Sequence, residues 1–303
     1  MDRRRFVKQT GAIAGAAAVS GLPLAAQERE RKMADGDRIT VTANYYEQFD
    51  ADYSLDVPAE GYGGWQKGEI DISASRTAVA VMHAWDCGTL EKFPGVWRSC
   101  AYIPKSIEIS KRVFPPLLKA VRDSPLDLVH VVGGGDYYSD VPGYKRLKRL
   151  AGDPPDPPER IEGDDVLSEL HGFKSRNVWR GEHNTKDRAS LAEEMDFLPE
   201  SRPLDGEPVA ENSHQLLAAC RKLGVNHLIY AGFAIDACLL TSPGGMVDMS
   251  RSGVMCSAIR QATVAVESKE SARTEFAKEI ALWRVAVSYG FVFDVDDLIA
   301  AIA

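Results

Sequence analysis

The sequence of 303 residues lacks an excess of positive charge and, beyond its first residues, lacks an apolar run long enough to cross a membrane. Its formal net charge is −8, so the chain has no overall electrostatic attraction to nucleic acid or to an anionic membrane. A membrane-spanning helix needs about 20 consecutive apolar residues. We therefore predict a soluble globular protein that binds no nucleic acid and, in its mature form, no membrane.

Nucleotide-binding loops and a full set of paired cysteines are missing as well. The three glycines of Gly133 to Gly135 follow an apolar run, but neither the Lys-Ser/Thr of a P-loop nor the spacing of a dinucleotide fingerprint accompanies them. A tight turn at a strand end is the favoured interpretation. The chain has five cysteines, and this odd number leaves at least one thiol free.

The first 26 residues have the layout of an export signal. The basic segment "RRRFVK" precedes a weakly apolar stretch rich in glycine and alanine, and small residues follow at Ala25 and Ala26. This pattern is typical of a twin-arginine signal peptide at residues 1–26, so we predict a mature chain that begins near Gln27. The predicted location is periplasmic or secreted.

Buried strands alternate with amphipathic helices in the rest of the chain. The near-continuous apolar runs "TAVAVM", "LDLVHVV" and "HLIYAGF" suit strands of a parallel sheet that is covered on both faces. Three helical patterns separate or follow these strands. One spans 111–125, one starts with Ser213 as its helix cap, and one ends at Gly290. This order predicts a three-layer, doubly wound, mostly parallel α/β domain at residues 76–303.

Two segments depart from that rhythm. Residues 27–75 are predicted to form an N-terminal extension, whose alternating "RITVTANYY" indicates an edge strand. Residues 137–208 contain "GDPPDPPER" and are predicted to be a long insertion over the carboxyl ends of the strands, where α/β proteins place their sites. Within it, His183, Asn184 and Asp187 are more typical of a solvated loop than of a metal or substrate site.

Four segments resemble the isochorismatase-like cysteine hydrolases, a family that includes nicotinamidases and N-carbamoyl amidohydrolases. They are "TAVAVMHAWD", "PPLLKAVRDSPLDLVHV", "LLAACRKLGVNHLIYAGFAIDACLL" and "GFVFDVDDLIAAI". The match covers about residues 76–136 and 211–302, and "AGFAIDAC" is its most specific part. The resemblance implies an isochorismatase-like fold, a cysteine nucleophile, no organic cofactor and a homo-oligomer. The metal-binding Asp-x-His pattern of the nicotinamidases is absent after Gly135, so no metal is expected.

Cys238 aligns with the family's nucleophile. A cysteine placed between a buried strand and a following helix lies where the helix dipole stabilises negative charge, and backbone N–H groups of such a turn can form an oxyanion hole. The resemblance implies that Ala234 and Cys238 supply those N–H groups and that a cis peptide bond precedes Ala234. The alternative is a small buried thiol with a packing role.

The other two catalytic positions of the family differ in this sequence. His83 stands where the family has its aspartate, so either His83 or the nearby Asp86 is the candidate to accept the thiol proton. No lysine occupies the family's lysine position, where Glu211 or Asn212 lies nearest. His214, close to the start of a helix, is a further candidate to line the site.

The sequence therefore predicts a hydrolase that acts on a small amide, ureido or ester-like substrate through Cys238. The alternative is a catalytically degenerate domain of the same fold that serves as a binding or scaffold protein.

Overall fold

A computed structural model describes residues 37–303 of the chain. The predicted signal segment 1–26, and residues 27–36 of the predicted extension, lie outside the described residues. Within the described range, every helix is too short or too polar to cross a lipid bilayer.

The strands of residues 37–303 form one eight-stranded sheet and one two-stranded sheet. Their bounds are β1 Arg38–Glu47, β2 Gly64–Ser73, β3 Thr77–Met82, β4 Trp85–Asp86, β5 Asp127–Val131, β6 Asp196–Phe197, β7 Val209–Ala210, β8 His227–Phe233, β9 Met255–Val264 and β10 Val292–Phe293. The small sheet pairs β4 with β6. It brings the loop that follows β3 together with the last part of the segment 137–208.

The large sheet has the order β2-β1-β10-β9-β8-β3-β5-β7. Every pairing from β10 to β7 is parallel, whereas β1 is antiparallel to both β2 and β10. The prediction of a mostly parallel α/β sheet is confirmed. The predicted edge position of "RITVTANYY" is wrong, because β2 pairs along the whole length of β1 and takes the edge itself.

Helices cover both faces of this sheet, which gives the three predicted layers. Their bounds are α1 Pro94–Ser99, α2 Ile103–Arg112, α3 Phe114–Asp123, α4 Pro142–Ala151, α5 Asp165–Asn177, α6 Arg188–Glu194, α7 Ser213–Leu223, α8 Cys238–Thr241, α9 Met246–Arg251, α10 Phe276–Ser288 and α11 Val295–Ile302. Short 3-10 turns lie at Pro58–Gly61, Ala74–Arg76, Glu182–Asn184 and Pro199–Ser201.

The apolar strand runs exist because each strand has a core on both sides. Along β3, Val79 and Val81 pack into one cluster with α3 and α11, while Ala78, Ala80 and Met82 pack into the other with α7 and α10. Side chains alternate between the faces of a strand, so a strand between two helix layers has no solvent-facing position. The sheet interior thereby becomes a rigid base for the loops at its carboxyl edge.

Two predicted helices have different bounds in the structure. The cap of α7 is Asn212 rather than Ser213, since the Asn212 side chain accepts a hydrogen bond from Gln215 N at 3.0 Å. The last long helix, α10, begins only at Phe276, after Glu275 adopts a left-handed φ of 56°. The helical pattern at 111–125 is confirmed over α3, whose two prolines stand in its first turn.

Candidate active site

The turn between β8 and α8 places Cys238 at the carboxyl edge of the sheet. β8 is buried along its entire length and ends at Phe233. Ala234 O then accepts hydrogen bonds from Ala237 N at 3.2 Å and from Leu239 N at 3.1 Å, and these bonds fold the chain back at once. Cys238 is half-buried and opens the single turn of α8.

Two backbone N–H groups of this turn have no acceptor within residues 37–303, namely those of Ala234 and Cys238. The first N–H groups of a helix have no partner inside the helix, which accounts for Cys238. The peptide bond between Phe233 and Ala234 is cis, as the sequence resemblance implies. The turn thus has two N–H donors available for an oxygen atom near the Cys238 thiol.

A cavity of about 640 Å³, including the space open to solvent, is lined by residues from the chain after β3, from α1 and the start of α2, and from the segment 137–208, while no residue of the turn after β8 lines it. Its walls combine aromatic, apolar, thiol and arginine side chains with parts of the segment 137–208. The lining residues are Trp85, Cys87, Val96, Ser99, Cys100, Tyr102, Ile103, Gly134, Arg180, Asn184, Arg188, Leu191, Ala192 and Met195. Such a mainly apolar pocket with few polar groups is typical of a small-molecule site.

Cys238 is linked to the cavity by electrostatics and is not itself a lining residue. Burial is the main cause of the raised pKa of both Cys100 and Tyr102, and a negative charge on Cys238 raises the pKa of each of them further. The thiol is therefore within electrostatic range of this wall of the cavity. Neither Cys100 nor Tyr102 was among the sequence candidates, because nothing in their local patterns marks them.

His83 directly follows β3, the strand beside β8 in the sheet. It adopts a left-handed φ of 53°, and its ring stacks on Trp85 with centroids 4.5 Å apart. Burial lowers the pKa of His83 to about 4, although a backbone hydrogen bond with Val132 acts in the opposite direction. The ring is therefore neutral at pH 7, and its buried Nδ1 has no hydrogen-bond partner in the described chain.

Asp86 lies in β4, and its Oδ1 accepts a hydrogen bond from Gly88 N at 2.9 Å. Burial, then Cys100 and then Asp86 raise the pKa of Cys87 to about 12, so Asp86 stands close to this wall of the cavity. In residues 37–303 no hydrogen bond joins the Cys238 thiol to Asp86 or His83. The choice between the two as proton acceptor stays a prediction.

The residues at the family's lysine position make structural contacts. Tyr144 donates a hydrogen bond of 2.5 Å to Glu211, and Gln215 Nε2 donates one of 3.2 Å. Asn212 caps α7, and His214 Nε2 lies 2.9 Å from the carbonyl oxygen of Ala151 at the end of α4. None of the three lines the cavity beside Cys238, and their predicted role in substrate binding stays a prediction.

The loop "GEHNTKDRAS" is not simply solvated, which corrects that interpretation for one of its residues. Asn184 is buried: its Oδ1 accepts a hydrogen bond from Arg98 Nε at 3.0 Å, and its Nδ2 donates one to Arg180 O at 2.9 Å. Asp187 Oδ2 accepts a hydrogen bond from Gly95 N at 2.8 Å. Contacts with α1, distant in sequence, therefore hold this loop against the cavity, while His183 is exposed.

The five cysteines are all unpaired thiols in the structure. In the part of the chain that is described, no three or more His, Cys, Asp or Glu side chains are grouped to hold a metal ion. The polar side chains that line the cavity are two thiols, two arginines, Ser99, Tyr102 and Asn184, together with the indole of Trp85.

Comparisons with known proteins gave matches among solved structures only. A scan against protein-family models and a search of curated proteins each found no match. A cysteine hydrolase from Pseudomonas syringae pv. phaseolicola 1448A is 17% identical over 76% of this chain and 94% of that chain, with a TM-score of 0.43.

Two further solved structures are similar at the same level. An isochorismatase from Pseudomonas putida KT2440 is 17% identical over 74% of this chain and 90% of that chain, with a TM-score of 0.38. An isochorismatase-like hydrolase from Alkaliphilus metalliredigens is 15% identical over 75% and 98%, with a TM-score of 0.40. The named neighbours are thus cysteine hydrolases and isochorismatases, and at such low identity the activity of this chain has to be argued from its own residues.

Proposed function

We propose that this chain is a cysteine-dependent hydrolase of isochorismatase-like type that cleaves a small amide, ureido or ester-like substrate. The observation that carries the proposal is the turn after β8. It presents a half-buried thiol at Cys238 together with unpaired N–H groups at Ala234 and Cys238, within electrostatic range of two residues that line a cavity, Cys100 and Tyr102. A nucleophile and oxyanion donors at one place are the minimum for acyl transfer.

In the proposed reaction, the sulfur of Cys238 forms a bond to the carbonyl carbon, and the oxygen takes negative charge. The N–H groups of Ala234 and Cys238 donate hydrogen bonds to that oxygen. The carbon–nitrogen or carbon–oxygen bond then breaks, and the leaving group takes the proton that the thiol has lost. Water attacks the resulting thioester, which releases the acid and restores the thiol.

His83 is the proposed carrier of the proton. Its neutral ring and its unpartnered Nδ1 allow it to accept a proton. A histidine with a pKa of about 4 is a weak base. Transfer of the proton from the thiol to His83 therefore relies on the attraction between the imidazolium and the thiolate that form together. Asp86 is the second candidate for this role.

The rival function is a binding or scaffold protein without catalysis. It is favoured by one observation: neither His83 nor Glu211 contacts the Cys238 thiol in the described chain, and Glu211 is already bound to Tyr144. The rival keeps the cavity as a ligand site and gives Cys238 a packing role. Export to the periplasm or beyond, through residues 1–26, and assembly into a homo-oligomer are part of the proposal under both functions.

The test is the rate of iodoacetamide labelling at each cysteine as a function of pH, read by peptide mass spectrometry on the folded chain. Cys220 and Cys256 are internal references, because both are buried and burial raises the pKa of each to about 12. We expect Cys238 to be labelled far faster than both. Labelling of Cys238 only after unfolding would instead support the binding protein.

A second measurement concerns turnover. Once a small amide or ester is found to be hydrolysed, Cys238→Ala is expected to lower kcat by a factor on the order of 10³ or more, as loss of a nucleophile does. Cys256→Ala is the matched control, since this thiol lies in the core away from the cavity. Equal activity of the two variants would exclude Cys238 as the nucleophile.

A further inference from the structure

On the basis of the proposed function, we infer that the substrate carries a carboxylate, which Arg180 and Arg188 bind at the mouth of the cavity, and that its apolar or aromatic body lies against the opposite walls. Both arginines belong to the segment 137–208, which lies outside the resemblance to the hydrolase family. The inference names the chemical class of the substrate for the site at Cys238.

The charges that line the cavity are all positive. Arg180 and Arg188 are its charged lining residues, because burial raises the pKa of the lining thiols Cys87 and Cys100, and no aspartate or glutamate lines it. Within residues 37–303, neither arginine forms an ion pair, although the chain has a formal net charge of −8. Two unneutralised cations beside an apolar cavity favour an anionic ligand.

The fold holds both arginines in place. Asn184 connects the carbonyl oxygen of Arg180 to the Arg98 side chain on α1 through hydrogen bonds of 2.9 and 3.0 Å. Asp187, next to Arg188 in the chain, accepts the 2.8 Å hydrogen bond from Gly95 N. This close approach requires a glycine, because a Cβ at Gly95 would lie 2.5 Å from Asp187 Oδ1. These contacts fix the backbone at both arginines, and a guanidinium group is suited to a carboxylate, which arginine binds in a bidentate manner.

Cys100 connects the arginines to the proposed nucleophile, because it lines the same cavity as Arg180 and Arg188. The positive charge of Arg188 lowers the pKa of Cys100, against the larger effect of burial, while a negative charge on Cys238 raises it. The body of a substrate bound at the arginines would contact Trp85, Tyr102 and the apolar wall residues.

The test measures equilibrium binding to the Cys238→Ala chain, so that no probe can be turned over. Calorimetry compares acetate, benzoate and 1-naphthoate with their neutral amides, which have nearly the same shape. We expect at least one carboxylate to bind about tenfold or more tightly than its amide, because charge-assisted hydrogen bonds are the strong ones. Arg180→Gln and Arg188→Gln should each remove most of that preference, and Arg188→Lys should keep part of it.

The control is Arg160→Gln, an exposed position of the same segment outside the cavity, which should leave the preference unchanged. Thermal unfolding checks that each variant is folded. The inference is overturned if no carboxylate binds more tightly than its amide, or if the preference persists in the chain with both arginines replaced. Carboxylate binding together with full activity of Cys238→Ala would refute the proposed hydrolase while leaving the anion site established.

Discussion

The carboxyl ends of β8 and β7 differ in what their polar groups bind. After β8, the Cys238 thiol and the N–H groups of Ala234 and Cys238 have no hydrogen-bond partner in the described chain. After β7, Glu211 is bound by Tyr144 and Gln215. The end of β8, inside the sheet, keeps reactive groups available, whereas the end of the border strand β7 uses its polar groups to fix the packing of α4 and α7.

The polar groups after β8 are thus available to react, whereas those after β7 stabilise the fold. Buried polar groups with satisfied hydrogen bonds hold a fold in one arrangement, while unpaired groups at a cavity can bind a ligand or a transition state. The following predictions test whether the two ends have separate roles.

After loss of the nucleophile itself, the largest expected effect is that of His83→Gln on turnover. If His83 carries the proton, the variant should lower kcat about 100-fold or more, with a smaller change in KM. In the wild-type chain, activity should fall as the pH drops through about 4, the value to which burial lowers the pKa of His83. The measurement is the pH profile of kcat for both proteins.

His227→Gln is the matched control, because burial lowers its pKa to about 4 as well, while its ring lies at the other end of β8 and bonds Ser257. Each histidine binds its proton more weakly in the folded chain than in the unfolded one. The neutral ring of each histidine therefore contributes about 3 kcal/mol to the free energy of unfolding. This contribution is fully present above the unfolded pKa of 6.5 and is lost as the pH falls from 6.5 to about 4. Both variants should flatten the pH dependence of unfolding, and a loss of activity in both would show that His83 has no special role.

The next effect is on stability at the β7 side. Burial opposes ionisation of Glu207, but hydrogen bonds from His130, Arg122 and Leu204 N lower the pKa of Glu207 to about 2. Glu207→Gln should lower the free energy of unfolding by about 2 kcal/mol at pH 7 and leave labelling of Cys238 unchanged. Since a lowered carboxyl pKa stabilises the fold above the unfolded value of 4.5, the difference from wild type should vanish as the pH falls from 4.5 to about 2.

Urea unfolding at several pH values measures this effect. Glu108→Gln is the control, because Glu108 forms only an exposed pair with Arg112, and such pairs contribute about 0.5 kcal/mol or less. A loss equal to that of Glu207→Gln in the control would show that the buried cluster is no stronger than a surface pair.

The smallest effect is expected for Tyr144→Phe, which removes the 2.5 Å hydrogen bond to Glu211. We expect a loss of about 1 kcal/mol in the free energy of unfolding and no change in the labelling rate of Cys238. Tyr138→Phe is the companion variant, because the Tyr138 hydroxyl also interacts with Glu211 and its ring contacts Tyr144. A marked change of the Cys238 labelling rate in either variant would mean that the polar groups after β7 are coupled to the thiol after β8.

The sheet could be predicted because its information is local. A strand buried on both faces must be apolar at every position, so "TAVAVM" and "HLIYAGF" indicate β3 and β8 without any knowledge of their neighbours. The start of α10 could not be predicted in the same way. Glu267, ten residues upstream, accepts hydrogen bonds from Ala277 N and Lys278 N, and a cap that folds back from a distant residue leaves no periodic signal.

The cavity shows the same limit. Cys238 could be placed from its own turn, whereas Arg180 and Arg188 reach the cavity because Asn184 and Asp187 bind α1, about 90 residues earlier. A polar segment such as "GEHNTKDRAS" has the composition of a solvated loop wherever it lies. Its role depends on the element it contacts, and the local sequence does not identify that element.

The pairing of β1 with β10 has a consequence for the order of events during synthesis. Ala43 pairs with Phe293 and Asn44 with Val292, so the first strand described and the last are joined. The hairpin of β1 and β2 can form early from neighbouring residues. It can pair with the rest of the sheet only after β10 has left the ribosome. The sheet is therefore completed only after β10 has been synthesised, and contacts this distant in sequence slow that step.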